Sequence, residues 1–191
     1  MRAAKEGSQT TYCDGVRVWQ ELLPQTRDIF AKHQLKYSRT ISEERWKTFV
    51  KLHRPDLKST ERVALNHLLQ ILPAAQNQTL RLLDDGSLYT EFIIPAAAKT
   101  RLSPQIAFAN SLLGPSFNYE SPRIVLDDYT EVPEEVLQDI RHATEKWTEN
   151  IDWMDGDIAI IDNTRTMHGR RKIVDANRSL FNTLSFHKTN V

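Results

Sequence analysis

Cysteine is nearly absent from this chain of 191 residues, which has only Cys13. A single cysteine excludes an intrachain disulfide and every metal site built from several cysteines, and it is typical of a reducing compartment. Net charge is lacking too, because 25 Lys and Arg residues balance 25 Asp and Glu residues. Without a field of one sign, the chain has no general attraction for nucleic acid or for an anionic membrane, so we expect neither as a partner.

Long apolar segments are also missing. The longest apolar run, residues 92–98, contains Pro95 and is far shorter than the roughly 20 residues that a membrane-spanning helix needs. The first seven residues carry charge but no apolar stretch of the kind that a secretory signal requires. Internal repeats, low-complexity tracts and linkers are absent as well. We therefore expect one cytoplasmic domain over residues 1–191, a length that buries roughly 70% of the unfolded surface.

Hydrophobic periodicity predicts mostly helices in the first part of the chain and strands towards its end. Helices are expected after the N-cap Asp14, from Pro24 to His33, after the capping-box sequence at 40–43, after Ser59 or Thr60, and from Pro133 to Trp147. Strands are expected at 35–40, 105–110, 157–162 and 179–186, with a hairpin of 80–83 and 87–94 around Asp85-Gly86. This pattern indicates an α+β domain with a mainly β core, an antiparallel barrel or sandwich decorated by helices.

The richest chemistry lies at residues 153–170. Gly156-Asp157 predicts a turn into the β-branched run at 157–162, and His168 follows a few residues beyond the end of that run. A histidine at a strand exit is a candidate metal ligand, although a hydrogen-bonded structural histidine is the commoner case.

Arginines are concentrated around this histidine. A planar guanidinium pairs with a carboxylate through two parallel hydrogen bonds, so such a cluster predicts a site for a carboxylate-bearing ligand. A solvated basic loop is the alternative interpretation, and we favour it for Arg171 and Lys172. The four arginines are Arg165, Arg170, Arg171 and Arg178.

These residues resemble a known family. Trp153-x-x-Gly156-Asp157, Asp162-Asn163, His168-Gly169-Arg170 and Arg178 are similar to the C-terminal half of the iron(II)- and 2-oxoglutarate-dependent dioxygenases of the taurine dioxygenase and clavaminate synthase-like superfamily (TauD/TfdA type). Near the other end, Gly7-Ser8-Gln9-Thr10 and the segment from Tyr12 to Gly15 are similar to the family's Gly-Gly-x-Thr segment and the aspartate-led helix behind it. Ser8 stands where the family has its second glycine.

The resemblance implies a fold, a chemistry and a set of site residues. The fold is a double-stranded β-helix, a jelly-roll or cupin-like barrel, with helical insertions. The chemistry is oxidative decarboxylation of 2-oxoglutarate to succinate, coupled to hydroxylation of a small molecule that the sequence does not identify. His168 is implied as an Fe(II) ligand, Arg178 and Thr10 as the groups that hold the far carboxylate of 2-oxoglutarate, and Asn163 and Arg170 as residues behind the ligands or towards the substrate.

One part of the family's site has no counterpart in the sequence. The resemblance implies two further iron ligands from a His-x-Asp or His-x-Glu motif, roughly 20 to 30 residues before the Gly-Gly-x-Thr segment, which makes a site of two histidines and one carboxylate. Here the corresponding segment begins at Gly7, and none of the six histidines is followed two residues later by an acid.

Three explanations of the missing ligands stay open. The ligands are encoded upstream of a truncated or mis-called start, or the chain is a degenerate member that has become a binding or interaction module. The third is a rebuilt site that uses His53 with Asp56, or His142 with Glu145. An incomplete barrel leaves sheet edges unpaired, so we expect a chain that is poorly stable, homo-oligomeric or completed by another chain. A further hypothesis is an unrelated jelly-roll protein that binds a sugar or lipid. Under that hypothesis the His168 motif would be a coincidence.

Overall fold

The structure is a computed structural model, and it describes residues 2–57, 63–72, 77–114, 121–175 and 177–185. Its helices are α1 (Gly15–Glu21), α2 (Pro24–Lys32), α3 (Glu43–His53), α4 (Leu65–Ile71) and α5 (Glu134–Lys146). Its strands are β1 (Thr10–Asp14), β2 (Leu35–Ile41), β3 (Gln78–Leu82), β4 (Leu88–Ile94), β5 (Ala98–Lys99), β6 (Ile106–Ala107), β7 (Arg123–Leu126), β8 (Thr148–Ile151) and β9 (Thr166–Arg170).

The chain divides into two compact units. The first contains Met1–Glu21, Ala98–Ala109 and His142–Val191, and the second contains Leu22–Ala97 and Asn110–Arg141. The expectation of a single domain over residues 1–191 stays a prediction.

The first unit is built on an antiparallel sheet with the strand order β8-β1-β9. Strand β1 runs directly into α1 at Gly15, where the chain comes very close to two other segments. The Gly15 N–H donates to the carbonyl of Arg165 at 2.8 Å, and its own carbonyl accepts from Phe108 N–H at 2.9 Å. A Cβ at this position would lie 2.4 Å from the Phe108 carbonyl oxygen and 2.6 Å from that of Arg165, so only glycine fits.

The second unit is built on a larger antiparallel sheet with the order β3-β4-β2-β7. Helices α3 and α4 pack against it because Trp46 and Val50 of α3 lie on the same side as Leu88 of β4. The buried cluster that results consists of Trp46, Val50, Val63, Leu68 and Leu88. The Trp46 indole N–H also donates to the carbonyl of Gly86 in the β3–β4 turn at 3.0 Å.

Most of the predicted elements are confirmed, namely the helices that became α1, α2, α3, α4 and α5, the strand β2, and the hairpin β3–β4, whose turn has Gly86 at φ +81°. Of the predicted helix after Ser59 or Thr60, positions 58–62 lie outside the described residues. The predicted strand at 105–110 is reduced to Ile106–Ala107.

Two predicted strands are wrong. Residues 157–162 and 179–185 form no strand, apart from a single bridge between Arg2 and Ser179, and residue 186 lies outside the described part of the chain. The reason is the lack of a pairing partner, since Ile158 and Ile160 remain 88% and 95% exposed. A strand needs a neighbour for its backbone groups whatever its side-chain pattern.

The described segments thus form an α+β structure with antiparallel sheets, and they do not close into a barrel. Within the same segments, no helix has the length and apolar character needed to cross a bilayer.

Candidate functional site

Three of the predicted site residues lie on one face of the β8-β1-β9 sheet. Residues that are directly opposite each other in an antiparallel ladder share a face. Thr10 lies opposite Arg170, and Tyr12 lies opposite His168 on one side and Glu149 on the other. The register therefore brings Thr10, His168 and Arg170 to the same face, although more than 150 residues separate the first from the other two.

This face is open. His168 and Arg170 are exposed, whereas Cys13, which points to the opposite face, is buried. The sequence prediction placed His168 just beyond the end of a strand at 157–162. In the structure, His168 lies within the strand β9, so this prediction was wrong. Beside it, the Tyr12 hydroxyl donates to Glu149 at 2.5 Å. That hydrogen bond, followed by burial, raises the pKa of Tyr12.

Asn163 lies elsewhere, in the exposed turn that precedes β9. The carbonyl of Asp162 accepts hydrogen bonds from the N–H groups of Arg165 and Thr166, and the Asp162 carboxylate accepts from Thr164. The neighbours of Asn163 thus form the hydrogen bonds that hold the turn. The role of Asn163 behind the ligands or towards the substrate stays a prediction.

Thr10 is engaged by a tryptophan. The indole N–H of Trp153 donates to Thr10 Oγ1 at 2.9 Å. Trp153 follows β8 with the same parity as Ile151, the residue opposite Thr10, so that it extends the face carrying Thr10. Trp153 belongs to the motif that carried the family resemblance, yet no sequence pattern connects it to a residue 143 positions away.

Arg178 lies at a cavity of about 390 Å³ in the same unit. Its guanidinium donates to the carbonyl of Ser8 through Nη1. The cavity is lined on one side by the N-terminal segment and on the other by the residues after β8. Its lining side chains include the cationic Arg2, Lys5 and Arg178, the acidic Glu6 and Asp152, and the apolar Ile151, Trp153, Met154 and Leu180.

The segment that accepts this hydrogen bond has a special backbone. Gly7 and Ser8 both have positive φ, +57° and +59°. A non-glycine residue adopts this conformation only where its surroundings compensate. The surroundings of Ser8 provide this compensation. Ser8 is 1% exposed, and its Oγ accepts hydrogen bonds from the N–H groups of Val174 and Asp175 at 2.8 and 3.1 Å. The serine in place of the family's second glycine therefore keeps the glycine-like turn and adds two hydrogen bonds.

Arg165 pairs with a carboxylate of the chain itself, and the role of the arginine cluster in binding an anion stays a prediction. Its Nη2 and Nε donate to the two carboxylate oxygens of Asp14 at 2.6 and 3.1 Å. Burial alone would raise the pKa of Asp14, but the hydrogen bonds from Arg165 and from the Val16 N–H prevail and hold that pKa below its usual range. The pair joins the start of α1 to the turn before β9.

Arg171 has a structural pairing as well. It lies within hydrogen-bond reach of Glu145 and Asn150, at 3.4 Å in each case, on the surface of the same unit. Of the four clustered arginines, only Arg178 lines the cavity.

The described residues do not complete an iron site around His168. Among them, the group of three His, Cys, Asp or Glu side chains whose ligand atoms lie within 4.8 Å of one another is His33 with Asp127 and Asp128, in the second unit. Neither His53 with Asp56 nor His142 with Glu145 belongs to such a group among the described residues. His53 Nδ1 lies 2.9 Å from the carbonyl of Phe49, and Asp56 pairs with Arg54. Two histidines and one carboxylate around one metal are therefore not supplied by the described part of the chain.

Comparison with known proteins identifies the family. A solved structure from Burkholderia xenovorans, assigned as an alpha-ketoglutarate dependent 2,4-D dioxygenase, aligns over 93% of this chain with a TM-score of 0.50 and 12% identity, which is evidence for a shared fold. This chain covers 55% of that structure, and thus about half of its length. A search of the curated proteins gave no match. The family model for the taurine catabolism dioxygenase TauD, TfdA family matches residues 1–184. This chain therefore belongs to the TauD, TfdA family.

Proposed function

We propose that this chain carries the 2-oxoglutarate subsite and one iron ligand of an Fe(II)- and 2-oxoglutarate-dependent dioxygenase that hydroxylates a small molecule. The supporting observation is the common location of Arg178, Ser8 and Trp153 around one cavity, with Thr10 hydrogen-bonded to Trp153. Family membership supports the reaction class. A double-stranded β-helix, a cytoplasmic location and the absence of nucleic-acid and membrane partners belong to the same proposal.

The cavity suits a small dicarboxylate. Its volume of about 390 Å³ lies towards the lower end of the range for small-molecule sites. A guanidinium has five N–H donors, and Arg178 uses Nη1 on the Ser8 carbonyl, so a fork of donors remains for a carboxylate. Arg2 and Lys5 add positive charge to the lining, while Ile151 and Met154 offer apolar contacts for the carbon chain.

Iron, if bound, would allow dioxygen to oxidise 2-oxoglutarate to succinate and carbon dioxide and to hydroxylate the substrate, with one oxygen atom entering each product. His168 is proposed as one ligand, because it is exposed on the same sheet face as Thr10. The described residues do not supply the complete metal site. The other two ligands would come from residues outside the described ranges or from a second chain.

A non-catalytic binding module is the second candidate. It is favoured by the lack of metal-ligating partners around His168 within the described ranges. Such a module would keep the dicarboxylate subsite without the oxidation.

Calorimetric titration of the purified chain with 2-oxoglutarate tests the subsite. Arg178→Gln removes a charge-assisted pair, so we expect the dissociation constant to rise at least tenfold, equivalent to about 1.4 kcal/mol. Arg171→Gln is the matched control, with the same chemical change at an arginine that pairs with Glu145, and it should leave binding unchanged. No binding by the wild-type chain, or equal loss in both variants, would refute the subsite.

Anaerobic titration with iron(II) in the presence of 2-oxoglutarate separates the two candidates. A visible absorption band of the chelate that disappears in His168→Ala would support the dioxygenase. Binding of 2-oxoglutarate without any such band would support the binding module.

A further inference from the structure

Trp153 links the two halves of the proposed subsite. It lines the cavity together with Arg178, and its indole N–H donates to Thr10 Oγ1 at 2.9 Å. Thr10 itself is half-buried and lies on the sheet face that carries His168. Trp153 therefore both lines the cavity and forms a hydrogen bond to that face.

The hydrogen bond has a fixed direction. An indole nitrogen can only donate, so the Thr10 oxygen must accept. The hydroxyl then uses a lone pair on Trp153, and its own proton has to point to a different acceptor. A threonine hydroxyl oriented in this way presents a donor, which is the polarity needed to bind a carboxylate.

Trp153 is itself held in place by the turn that follows it. Met154 N–H donates to the Asp157 carboxylate at 2.8 Å, and Asp157 N–H donates to the Met154 carbonyl at 3.1 Å. The turn contains Gly156 at φ +92°, a conformation that favours glycine. Asp155 also accepts from Ala3 N–H at 2.7 Å, which ties the turn to the N-terminal segment that lines the cavity.

We propose that Trp153 is a positioning residue of the 2-oxoglutarate subsite, which orients the Thr10 hydroxyl as a donor towards the carboxylate held by Arg178. This inference rests on the proposed function. It assigns a purpose to the Trp153-x-x-Gly156-Asp157 sequence: the glycine and the aspartate shape a turn, the turn fixes the indole, and the indole sets the direction of one hydroxyl.

The substitution Trp153→Phe, made in the wild-type chain and in two Thr10 variants, tests the inference by 2-oxoglutarate titration of the metal-free chain. Trp153→Phe keeps an aromatic ring and removes the N–H, so the dissociation constant should rise roughly threefold to tenfold, as expected for one hydrogen bond. In a Thr10→Val background, which lacks the hydroxyl, the same change should have no further effect. In a Thr10→Ser background, which keeps the hydroxyl, the loss caused by Trp153→Phe should reappear.

Trp147→Phe is the matched control. It makes the same change in the same unit, at a tryptophan that is not among the described residues lining the cavity, and it should leave the dissociation constant unchanged. Unfolding curves of every variant establish that the chain remains folded. Additive effects of Trp153→Phe and Thr10→Val would overturn the inference, because a merely structural tryptophan would weaken binding regardless of the hydroxyl.

The outcome distinguishes this inference from the proposed function. If the wild-type chain binds 2-oxoglutarate and Trp153→Phe binds it equally well, the positioning role is wrong and the subsite stands. If the wild-type chain does not bind it, the subsite and the positioning role are both wrong.

Discussion

The two larger sheets in the described part of the chain contrast in what their residues do. In the second unit, the sheet with order β3-β4-β2-β7 shares a buried apolar cluster with α3 and α4. In the first unit, the β8-β1-β9 sheet leaves one face open, and that face carries Thr10, His168 and Arg170. The difference indicates that the second sheet serves to cover an apolar core, while Thr10, His168 and Arg170, the polar residues with a proposed chemical role, lie on the open face of the first.

The largest expected effect is on the stability of the second unit. Trp46 is 4% exposed, and Trp46→Ala should lower the free energy of unfolding by about 3–5 kcal/mol, because it leaves a cavity and removes the bond to Gly86. Leu52→Ala, at a residue of the same helix that is 76% exposed, is the control and should change it by less than about 0.5 kcal/mol. Urea denaturation measures both free energies of unfolding. Similar losses in the two variants would contradict the buried apolar cluster that sets the second sheet apart from the first.

The next effect lies at the start of α1 in the first unit. Gly15→Ala places a methyl group against two carbonyl oxygens, so we expect a loss of about 1–3 kcal/mol even though alanine favours helices. Gly114→Ala is the matched control, since a Cβ there meets none of the described residues within 4 Å. A stabilised Gly15→Ala variant in urea denaturation would show that the close approach to Phe108 and Arg165 is absent in solution.

A smaller effect depends on pH. The pKa of Asp14 is lowered in the folded chain, so its pairing with Arg165 contributes stability above the pKa of the unfolded carboxyl and loses it as pH falls through the folded pKa. Asp14→Asn should therefore cost about 1 kcal/mol at neutral pH. The difference from wild type should shrink below about pH 4. Urea denaturation at a series of pH values tests this, and a difference that persists unchanged at about pH 2 would contradict the assignment.

The smallest change in stability is expected on the exposed apolar segment. Ile160→Lys should alter the free energy of unfolding by less than about 0.5 kcal/mol, because the side chain is almost fully exposed. If Ile158 and Ile160 mediate the proposed self-association, the same variant should shift sedimentation velocity profiles towards the monomer. Gln20→Lys, at an exposed position of α1, adds the same charge and should not.

Sequence predicted those parts of the fold that depend on local patterns. Apolar residues with helical spacing marked α2, α3 and α5, and Asp85-Gly86 marked the β3–β4 hairpin. Strands that need distant partners were less accessible. The run at 157–162 has the composition of a strand but no partner, while Thr166–Arg170 has little apolar character and becomes β9 because β1 lies beside it.

The candidate site was predictable as a set of residues but not as an arrangement. The family resemblance singled out Thr10, His168 and Arg178, and their roles stay predictions. Their neighbours depend on pairings over long distances along the chain, so the sequence could not reveal that Asp14 engages Arg165 or that Trp153 engages Thr10. An arginine count cannot distinguish a guanidinium paired with a carboxylate from one that lines a cavity.

The hydrogen bonds between the N-terminal segment and residues 172–179 have a consequence for the order of folding. Arg2 pairs with Ser179 through two backbone hydrogen bonds, and Lys5 N–H donates to the Asp175 carboxylate. Ser8 Oγ accepts from the N–H groups of Val174 and Asp175, and the Ser8 carbonyl accepts from Arg178. These contacts join positions about as far apart as the described chain allows, and contacts of such high sequence separation form late because the loop must close first. During synthesis on the ribosome, the hydrogen bond from Arg178 to Ser8 cannot form until residue 178 has emerged, whereas the β3–β4 hairpin can form long before.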